Sequence, residues 1–282
     1  MSELCVVMPV GGRGKAEFAA DTVRSIWFWC GDETQIFVIE DGLIRWPDDI
    51  LEQPAFNRIN AFPDHGRHIA LYRNQCKGYQ SALLQKDCKL VLKMDTDALI
   101  IRQRPQDNAL RCFNQNPAIG SIGSFRQSIL GPVEMHRYVH QEVRRLIDQG
   151  NELLRRAFRL ARSHGYEIGN HCQGGGHFVR IEALRRMWDM GFFELPAFDT
   201  GLEDDFLFSL LLQATGYQLG ELPIIGTIWQ GLAMSPAELE QAGFKIIHSV
   251  EFYQNLDETA IRDYFNQSRI NYDNSRRNFE SV

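Results

Sequence analysis

The chain has 282 residues, a formal net charge of -6 and a hydrophobic fraction of 44%. This length and apolar fraction allow a sizeable buried core, in one large α/β domain or two small ones. The negative charge argues against a nucleic-acid partner, because proteins that track phosphates are usually basic.

No apolar run approaches the roughly 18 residues that a membrane-spanning helix needs, and Glu3 precedes any signal-like segment. The six cysteines are scattered without a C-x-x-C pair, which predicts free, buried thiols in a reducing compartment. We therefore expect a cytoplasmic protein without a transmembrane segment, and peripheral membrane association stays open.

The first hundred residues alternate between strand and helix patterns. Apolar runs at 4–8, 35–39 and 90–94 predict buried strands, whereas the spacing of apolar residues in 17–29 and 78–85 predicts helices. Strands separated by helices imply a parallel sheet with helices on both faces. The sequence thus predicts an α/β fold with a Rossmann-like, mostly parallel sheet.

The rest of the chain continues with longer helical patterns. A basic amphipathic stretch at 132–164 predicts one or two helices with a break near Gly150. The polar tail from Tyr264 is predicted to be mobile. Further strands are predicted at 177–180, 218–229 and 244–247, and further helices at 181–190 and 203–213.

The ends of the first strands are rich in groups that bind ligands. In open α/β sheets, ligands bind beyond the carboxyl ends of the strands. Those ends are Pro9-Val10-Gly11, Glu40-Asp41-Gly42 and Asp95-Thr96-Asp97. Because Mg²⁺ and Mn²⁺ prefer oxygen ligands, Asp95 and Asp97 are candidate metal ligands. The alternative is that the two carboxylates only cap a loop, since a bare D-x-D is common.

Three further motifs have both a functional and an ordinary interpretation. Glu203-Asp204-Asp205 opens a helix, where acids are catalytic candidates or simply favourable charge on the first turn. His248 ends a strand as a metal ligand or as an ordinary hydrogen-bonded histidine. Residues 11–15 are glycine-rich but are not a P-loop, because the glycine spacing is wrong and Ala16 follows Lys15. Arg13 and Lys15 in this segment either contact a ligand or lie in a solvated loop.

Together these motifs resemble those of GT-A glycosyltransferases, close to inverting family 2 and to the β-1,4-galactosyltransferase type. The order and spacing of the matching motifs hold across nearly the whole chain. The matching segments are Val7-Met8-Pro9-Val10, Ala19 to Ile26 with Thr22 and Ser25, Ile39-Glu40-Asp41-Gly42, Arg73-Asn74 to Leu83, Asp95-Thr96-Asp97, Gly175-Gly176-His177-Phe178, Gly191-Phe192-Phe193, Gly201 to Asp205 and Ile247-His248-Ser249.

The resemblance implies a Mn²⁺ or Mg²⁺ ion, a nucleoside-diphosphate sugar as donor, with UDP the commonest nucleotide, and a glycan or other hydroxyl-bearing acceptor. Asp97 and His248 would bind the metal, and Asp95 the ribose or a metal-bound water. Asp204 would be the general base of a reaction with inversion, with Glu203 as its catalytic partner. The residues implied for the donor are Pro9, Val10, Gly11, Arg13, Asp41, Lys77, Asp95 and Thr96. Those implied for the acceptor are Gly175, Gly176, His177, Glu203 and Asp205.

The same resemblance implies one GT-A domain over residues 1–282. Residues 1–101 would bind the nucleotide sugar, and residues 102–256, with the helical insertion at 132–164, would bind the acceptor. Residues 257–282 would form a C-terminal helix and tail. Leu202 departs from the aromatic residue or threonine that is frequent before the Glu-Asp pair, so the acceptor type is open. The alternatives are a sugar nucleotidyltransferase and a non-catalytic nucleotide- or carbohydrate-binding protein.

Overall fold

A computed structural model describes residues 3–11, 15–40, 42–62, 68–128, 131–132, 137–149, 151–196, 198–227 and 231–280. The strands are β1 Leu4–Val10, β2 Gln35–Glu40, β3 Phe56–Asn60, β4 Leu90–Met94, β5 Ala98–Ile100, β6 Ile119–Gly123, β7 Gln127–Ser128, β8 Gly131–Pro132, β9 Gly176–Arg180, β10 Gln218–Glu221, β11 Ile225–Thr227, β12 Ile246–His248, β13 Phe252–Tyr253 and β14 Leu256–Asp257. The helices are α1 Ala16–Cys30, α2 Asp48–Leu51, α3 His68–Leu83, α4 Pro105–Gln115, α5 Arg137–Asp148, α6 Glu152–Ser163, α7 Ile181–Asp189, α8 Asp204–Ala214, α9 Pro236–Ala242 and α10 Glu258–Glu280, with a 3-10 turn at Phe192–Glu194.

Within the described part of the chain, seven strands form the central sheet in the order β10-β6-β9-β4-β1-β2-β3. The pairs β1/β2, β1/β4, β2/β3 and β6/β10 are parallel, and β9 runs antiparallel to its neighbours β4 and β6. Parallel sheets need helices on both faces, which leaves their strands buried and apolar. The predicted α/β fold with a mostly parallel sheet is confirmed.

Alternate residues of β1 show how the two faces are covered. Cys5 and Val7 belong to a core cluster with α3, α6, α7 and α8, whereas Val6 and Met8 belong to a cluster with α1 and α4. Helix α8 is buried on all sides over its whole length, as expected of a core helix that is apolar all round. The first turn of this buried helix carries Asp204 and Asp205.

A second, smaller sheet joins distant parts of the chain. Its order is β11-β12-β5, in which β12 pairs antiparallel with β5 and parallel with β11. The register places His248 opposite Ala98, one residue after Asp97. This pairing brings a late histidine beside the end of β4.

Several predicted elements differ from the observed ones. Helix α3 begins at His68, well before the predicted start at Gly78. The predicted strand at 218–229 is broken into β10 and β11, and residues 228–230 lie outside the described ranges. The tail from Tyr264 belongs to α10, and its Phe265 packs in a core cluster with Ile247 of β12, while its mobility stays a prediction.

Two expectations from composition have counterparts in the structure. The six cysteines are all free, and only Cys112 is not buried. Within the described ranges, no helix combines the length and apolar character needed to cross a bilayer.

Candidate metal and transfer site

Asp95, Asp97 and His248 meet at the carboxyl edge of the central sheet. One ligand atom of each lies within 4.8 Å of the others. His248 Nε2 is 3.3 Å from Asp97 Oδ1 and 4.0 Å from Asp95 Oδ2. The two aspartate side chains are 31% and 32% exposed, so a solvent-borne ligand can reach them. Two carboxylates and an imidazole are a suitable donor set for a divalent metal such as Mn²⁺.

The charges of this group reinforce one another. Burial favours the neutral forms of Asp97 and His248, but their hydrogen bond and opposite charges outweigh it. The pKa of Asp97 is therefore below its ordinary value, and the pKa of His248 is above its ordinary value. Burial is the main cause that raises the pKa of Asp95. The two carboxylates therefore favour a positive charge beside them, and a divalent ion would supply that charge with His248 in its neutral form.

Gly175 makes room for the His248 ring. A Cβ atom at this position would lie 2.0 Å from His248 Cγ and 2.3 Å from Nδ1, which no side chain tolerates. The carbonyl oxygen of Gly175 also accepts a hydrogen bond from the backbone N–H of Asp95 at 3.3 Å. This glycine thus lies directly behind the metal-site histidine.

Asp95, Asp97 and His248 are called the metal group. Asp204 is linked to this group through a buried lysine. Lys93 Nζ lies 2.7 Å from Asp95 Oδ1 and 3.7 Å from Asp204 Oδ2, and it donates to Gly174 O at 2.6 Å. Burial lowers the pKa of Lys93, but Asp95 and Asp204 together raise it above its ordinary value. Gln75 Nε2 donates to the same Oδ2 of Asp204. The structure therefore brings Asp204 and the metal group to one place.

Asp205 and Glu203 have different surroundings. Burial, together with the charges of Asp204 and Glu203, raises the pKa of Asp205 well above its usual range. Asp205 Oδ1 accepts from the backbone N–H of Phe206, and Oδ2 lies 3.7 Å from His171 Nε2. Glu203 is exposed and accepts a hydrogen bond from the Tyr138 hydroxyl at 3.3 Å.

An aromatic group borders these acids. The His171 ring lies 3.9 Å from the Phe206 ring, and Tyr138 meets Phe206 edge-on with ring centroids 6.3 Å apart. Tyr138 is 39% exposed. His171 and Phe206 are buried, so the half-exposed ring of Tyr138 is the aromatic surface of this group that suits the apolar face of a sugar ring.

The residues predicted for the acceptor do not all lie at the surface beside Glu203 and Tyr138. Gly176 belongs to β9, where it pairs with Met94. His177 is 1% exposed and its ring packs on Phe208, so an acceptor cannot reach it in this conformation. Burial lowers the pKa of His177 to about 3, which makes it a neutral core residue.

The residues predicted for the donor are partly described. Pro9 is half-buried, Val10 is buried and Gly11 is exposed, all at the carboxyl end of β1. Thr96 lies between the two site aspartates, and its carbonyl oxygen accepts from Thr22. Arg13 and Asp41 lie outside the described residues, so their contacts with a donor stay predictions.

Lys77 lies on a different side of α3 from Gln75. Two residues along a helix correspond to a rotation of about 200°. Lys77 Nζ donates to Asn60 O at 2.7 Å and lies 3.6 Å from the centre of the Phe62 ring. Lys77, Phe62 and Arg73 line a cavity of about 290 Å³. Contact between Lys77 and a donor stays a prediction.

Arg262 of α10 holds the loop between the two site aspartates. It is 4% exposed and donates to Thr96 O at 2.8 Å. It also pairs with Asp21 at 3.1 Å and with Glu258 at 2.8 Å. Helix α10 therefore fixes the backbone of the segment Asp95-Thr96-Asp97.

Sequence reasoning missed Lys93, Gln75 and Arg262. Lys93 did carry a signal, because a lysine inside the apolar run of β4 must be paired when buried. Gln75 and Arg262 carried none, since nothing in their local pattern distinguishes them from other polar residues on amphipathic helices.

No known protein family matches the sequence, and no curated protein matches it. Among solved structures, the mannosyltransferase PcManGT from Pyrobaculum calidifontis, in complex with GDP-Man and Mn²⁺, is similar at 14% identity and a TM-score of 0.44. This match covers 78% of the present chain and 55% of that one, so the chain spans about half the length of that protein.

The galactosyltransferase LgtC, in complex with donor and acceptor sugar analogues, is similar at 12% identity and a TM-score of 0.46, over 94% of this chain and 95% of that one. An active-site mutant of LgtC gives 12% identity and a TM-score of 0.45, over 93% and 94% of the two chains. At identities of 12–14% and TM-scores of at most 0.46, these likenesses are too low to carry an argument about activity.

Proposed function

We propose that this chain is a metal-dependent glycosyltransferase of GT-A type that uses a nucleoside-diphosphate sugar as donor. The observation that carries the proposal is the convergence of the Asp95, Asp97 and His248 group with Asp204. Lys93 lies between them, 2.7 Å from Asp95 and 3.7 Å from Asp204. Residues that are distant in sequence thus form one site. Asp95, Asp97 and His248 form its metal side, and Asp204 forms the side of the general base.

The metal side suits a diphosphate. A divalent ion held by Asp97 and His248, with Asp95 beside it, would neutralise the charge that develops on the leaving nucleoside diphosphate. The imidazole ligand favours Mn²⁺ over Mg²⁺, because magnesium prefers an all-oxygen shell. The sugar and the base of the donor are open, with a UDP-sugar as the first candidate.

The side that carries Asp204, the proposed general base, suits an acceptor hydroxyl. Asp204 takes the proton as the hydroxyl oxygen attacks the anomeric carbon of the donor, on the face opposite the leaving diphosphate, which gives inversion. Asp205 and exposed Glu203 flank Asp204 in the sequence and would hydrogen-bond the acceptor.

The test is a panel of UDP- and GDP-sugars with Mn²⁺ and simple sugar acceptors, in which nucleoside diphosphate release and product are both measured. Asp204→Asn keeps the shape of the side chain and removes the base, so kcat should fall by about 10²–10⁴-fold. The affinity for Mn²⁺ and nucleoside diphosphate should stay within about twofold, because Asp204 is not a ligand of either. Asp263→Asn, an exposed change on α10, is the matched control.

The other outcomes are equally specific. Exchange of pyrophosphate between a nucleoside triphosphate and a sugar phosphate would indicate a sugar nucleotidyltransferase instead. Mn²⁺-dependent binding of a nucleoside diphosphate without turnover would indicate a binding protein. If no nucleoside diphosphate shifts the melting temperature in the presence of Mn²⁺, the proposed donor site does not exist.

A further inference from the structure

Lys93 is a buried charge at the centre of the site. Its side chain is 1% exposed, in the middle of the otherwise apolar strand β4. A buried ammonium is costly unless its N–H groups are paired. Three oxygen atoms surround it: Asp95 Oδ1 at 2.7 Å, Gly174 O at 2.6 Å and Asp204 Oδ2 at 3.7 Å. The ammonium therefore contacts both Asp95, on the metal side, and Asp204, on the side of the general base.

Gln75 fixes the same carboxylate from the other direction. It is fully buried on α3, and its Nε2 donates to Asp204 Oδ2. Among the described residues, Gln75 and Lys93 are the donors that contact the Asp204 carboxylate, and both do so at Oδ2. One oxygen of Asp204 is thus held by Gln75 and Lys93, which leaves the second oxygen for a substrate.

We propose that Lys93 is a positioning residue that sets the distance between the donor and the base, and that Gln75 sets the orientation of the base. This inference rests on the proposed transfer function. Lys93 acts through Asp95 and Asp204, and Gln75 acts through Asp204 alone. Because a misplacement of about 1 Å can lower a rate by about 100-fold, two fixed links of this kind have a large effect on kcat.

The two residues predict different kinetic signatures. Gln75→Met should lower kcat by about tenfold or more without changing the affinity for the Mn²⁺–donor complex, since Gln75 contacts only the base. Lys93→Met should lower kcat by about 100-fold and also weaken donor binding by several-fold, because Asp95 loses its partner. In the double variant, the losses should be less than multiplicative, because both residues act on one carboxylate.

The experiment measures kcat, donor KM and direct binding of Mn²⁺ and nucleoside diphosphate for the wild type and the variants. Gln80→Met, at a half-buried position on α3, and Lys89→Met, at an exposed lysine just before β4, are the matched controls. If Lys93→Met does not fold, Lys93→Arg takes its place, since it keeps the charge but moves it, and the same combined loss of kcat and donor affinity is expected.

Each outcome bears on one statement. Wild-type kcat in Lys93→Met, or in the folded Lys93→Arg, would overturn the positioning role of Lys93. Donor affinity that falls together with kcat in Gln75→Met would overturn the separate assignment of Gln75 to the base, as would multiplicative losses in the double variant. Absence of turnover in the wild type with every donor would overturn the proposed function, and this inference with it.

Discussion

Gly175→Ala is a sharp test of the metal site, because it adds one methyl group behind His248. The new Cβ would lie 2.0 Å from Cγ and 2.3 Å from Nδ1 of the imidazole, whereas ordinary contacts begin at 3.4 Å. The ring would have to move by at least about 1.4 Å. The backbone of His248 cannot follow, because β12 is paired on both sides by β11 and β5.

The expected effect follows from the loss of one of three ligands. A ring displaced this far no longer places Nε2 at 3.3 Å from Asp97 Oδ1. Loss of orientation at a metal ligand lowers affinity by about 10–100-fold, which corresponds to about 1.4–2.7 kcal/mol. We therefore expect Gly175→Ala to bind Mn²⁺ about 10–100-fold more weakly than the wild type.

The measurement is titration calorimetry with Mn²⁺ in the absence of a donor, supported by a thermal melt that confirms folding. Gly174→Ala is the matched control, because a Cβ there would have ordinary contacts, the nearest at 3.5 Å from Asp205 Oδ2. Wild-type Mn²⁺ affinity in Gly175→Ala would refute the assignment of His248 as a ligand. Equal weakening in both variants would refute the steric argument.

Two further predictions concern stability. Gly78→Ala should destabilise the fold, because its Cβ would lie 2.4 Å from Val7 Cγ1, and overpacking of about 1–3 kcal/mol outweighs the ~1 kcal/mol gain in helix propensity. Urea unfolding with Ser81→Ala as control measures this, and an unchanged midpoint would contradict it. The hydrogen bonds from Arg145 and from the Gly201 N–H lower the pKa of Glu142 to about 2. The contribution of Glu142 to stability is therefore complete above its pKa in the unfolded chain, about 4.3, and is lost as the pH falls towards 2. The difference in unfolding free energy between wild type and Glu142→Gln should therefore shrink from about pH 5 to about pH 2, and a constant difference would contradict this.

Much of the first half of the fold could be predicted because the three central strands β1, β2 and β4 are mainly apolar. The runs in β1, β2 and β4 are buried on both faces, so their composition alone identifies them. β3 was missed because it lies at the sheet edge and has the mixed sequence FNRIN. The reversed direction of β9 could not be predicted either, since local pattern does not encode strand direction.

Candidate site residues could be predicted where they directly follow or end a strand. Those that reach the site from a packed helix could not be predicted. Asp95 and Asp97 follow β4, and His248 ends β12, so position pointed to them. His177 lies in β9, whose first four residues are all buried, and its ring packs on Phe208, so its contact with an acceptor stays a prediction. Gln75 reaches Asp204 across 129 residues, a contact that only tertiary packing creates.

The contact between Arg262 and Thr96 has a consequence for how the protein is made. These residues are 166 positions apart, and β12, which supplies His248, also lies in the last part of the chain. During synthesis, Asp95 and Asp97 emerge long before the imidazole of His248 and before the guanidinium that holds the Thr96 carbonyl. A product truncated before residue 248 therefore lacks a ligand of the proposed metal site as well as the Arg262 contact.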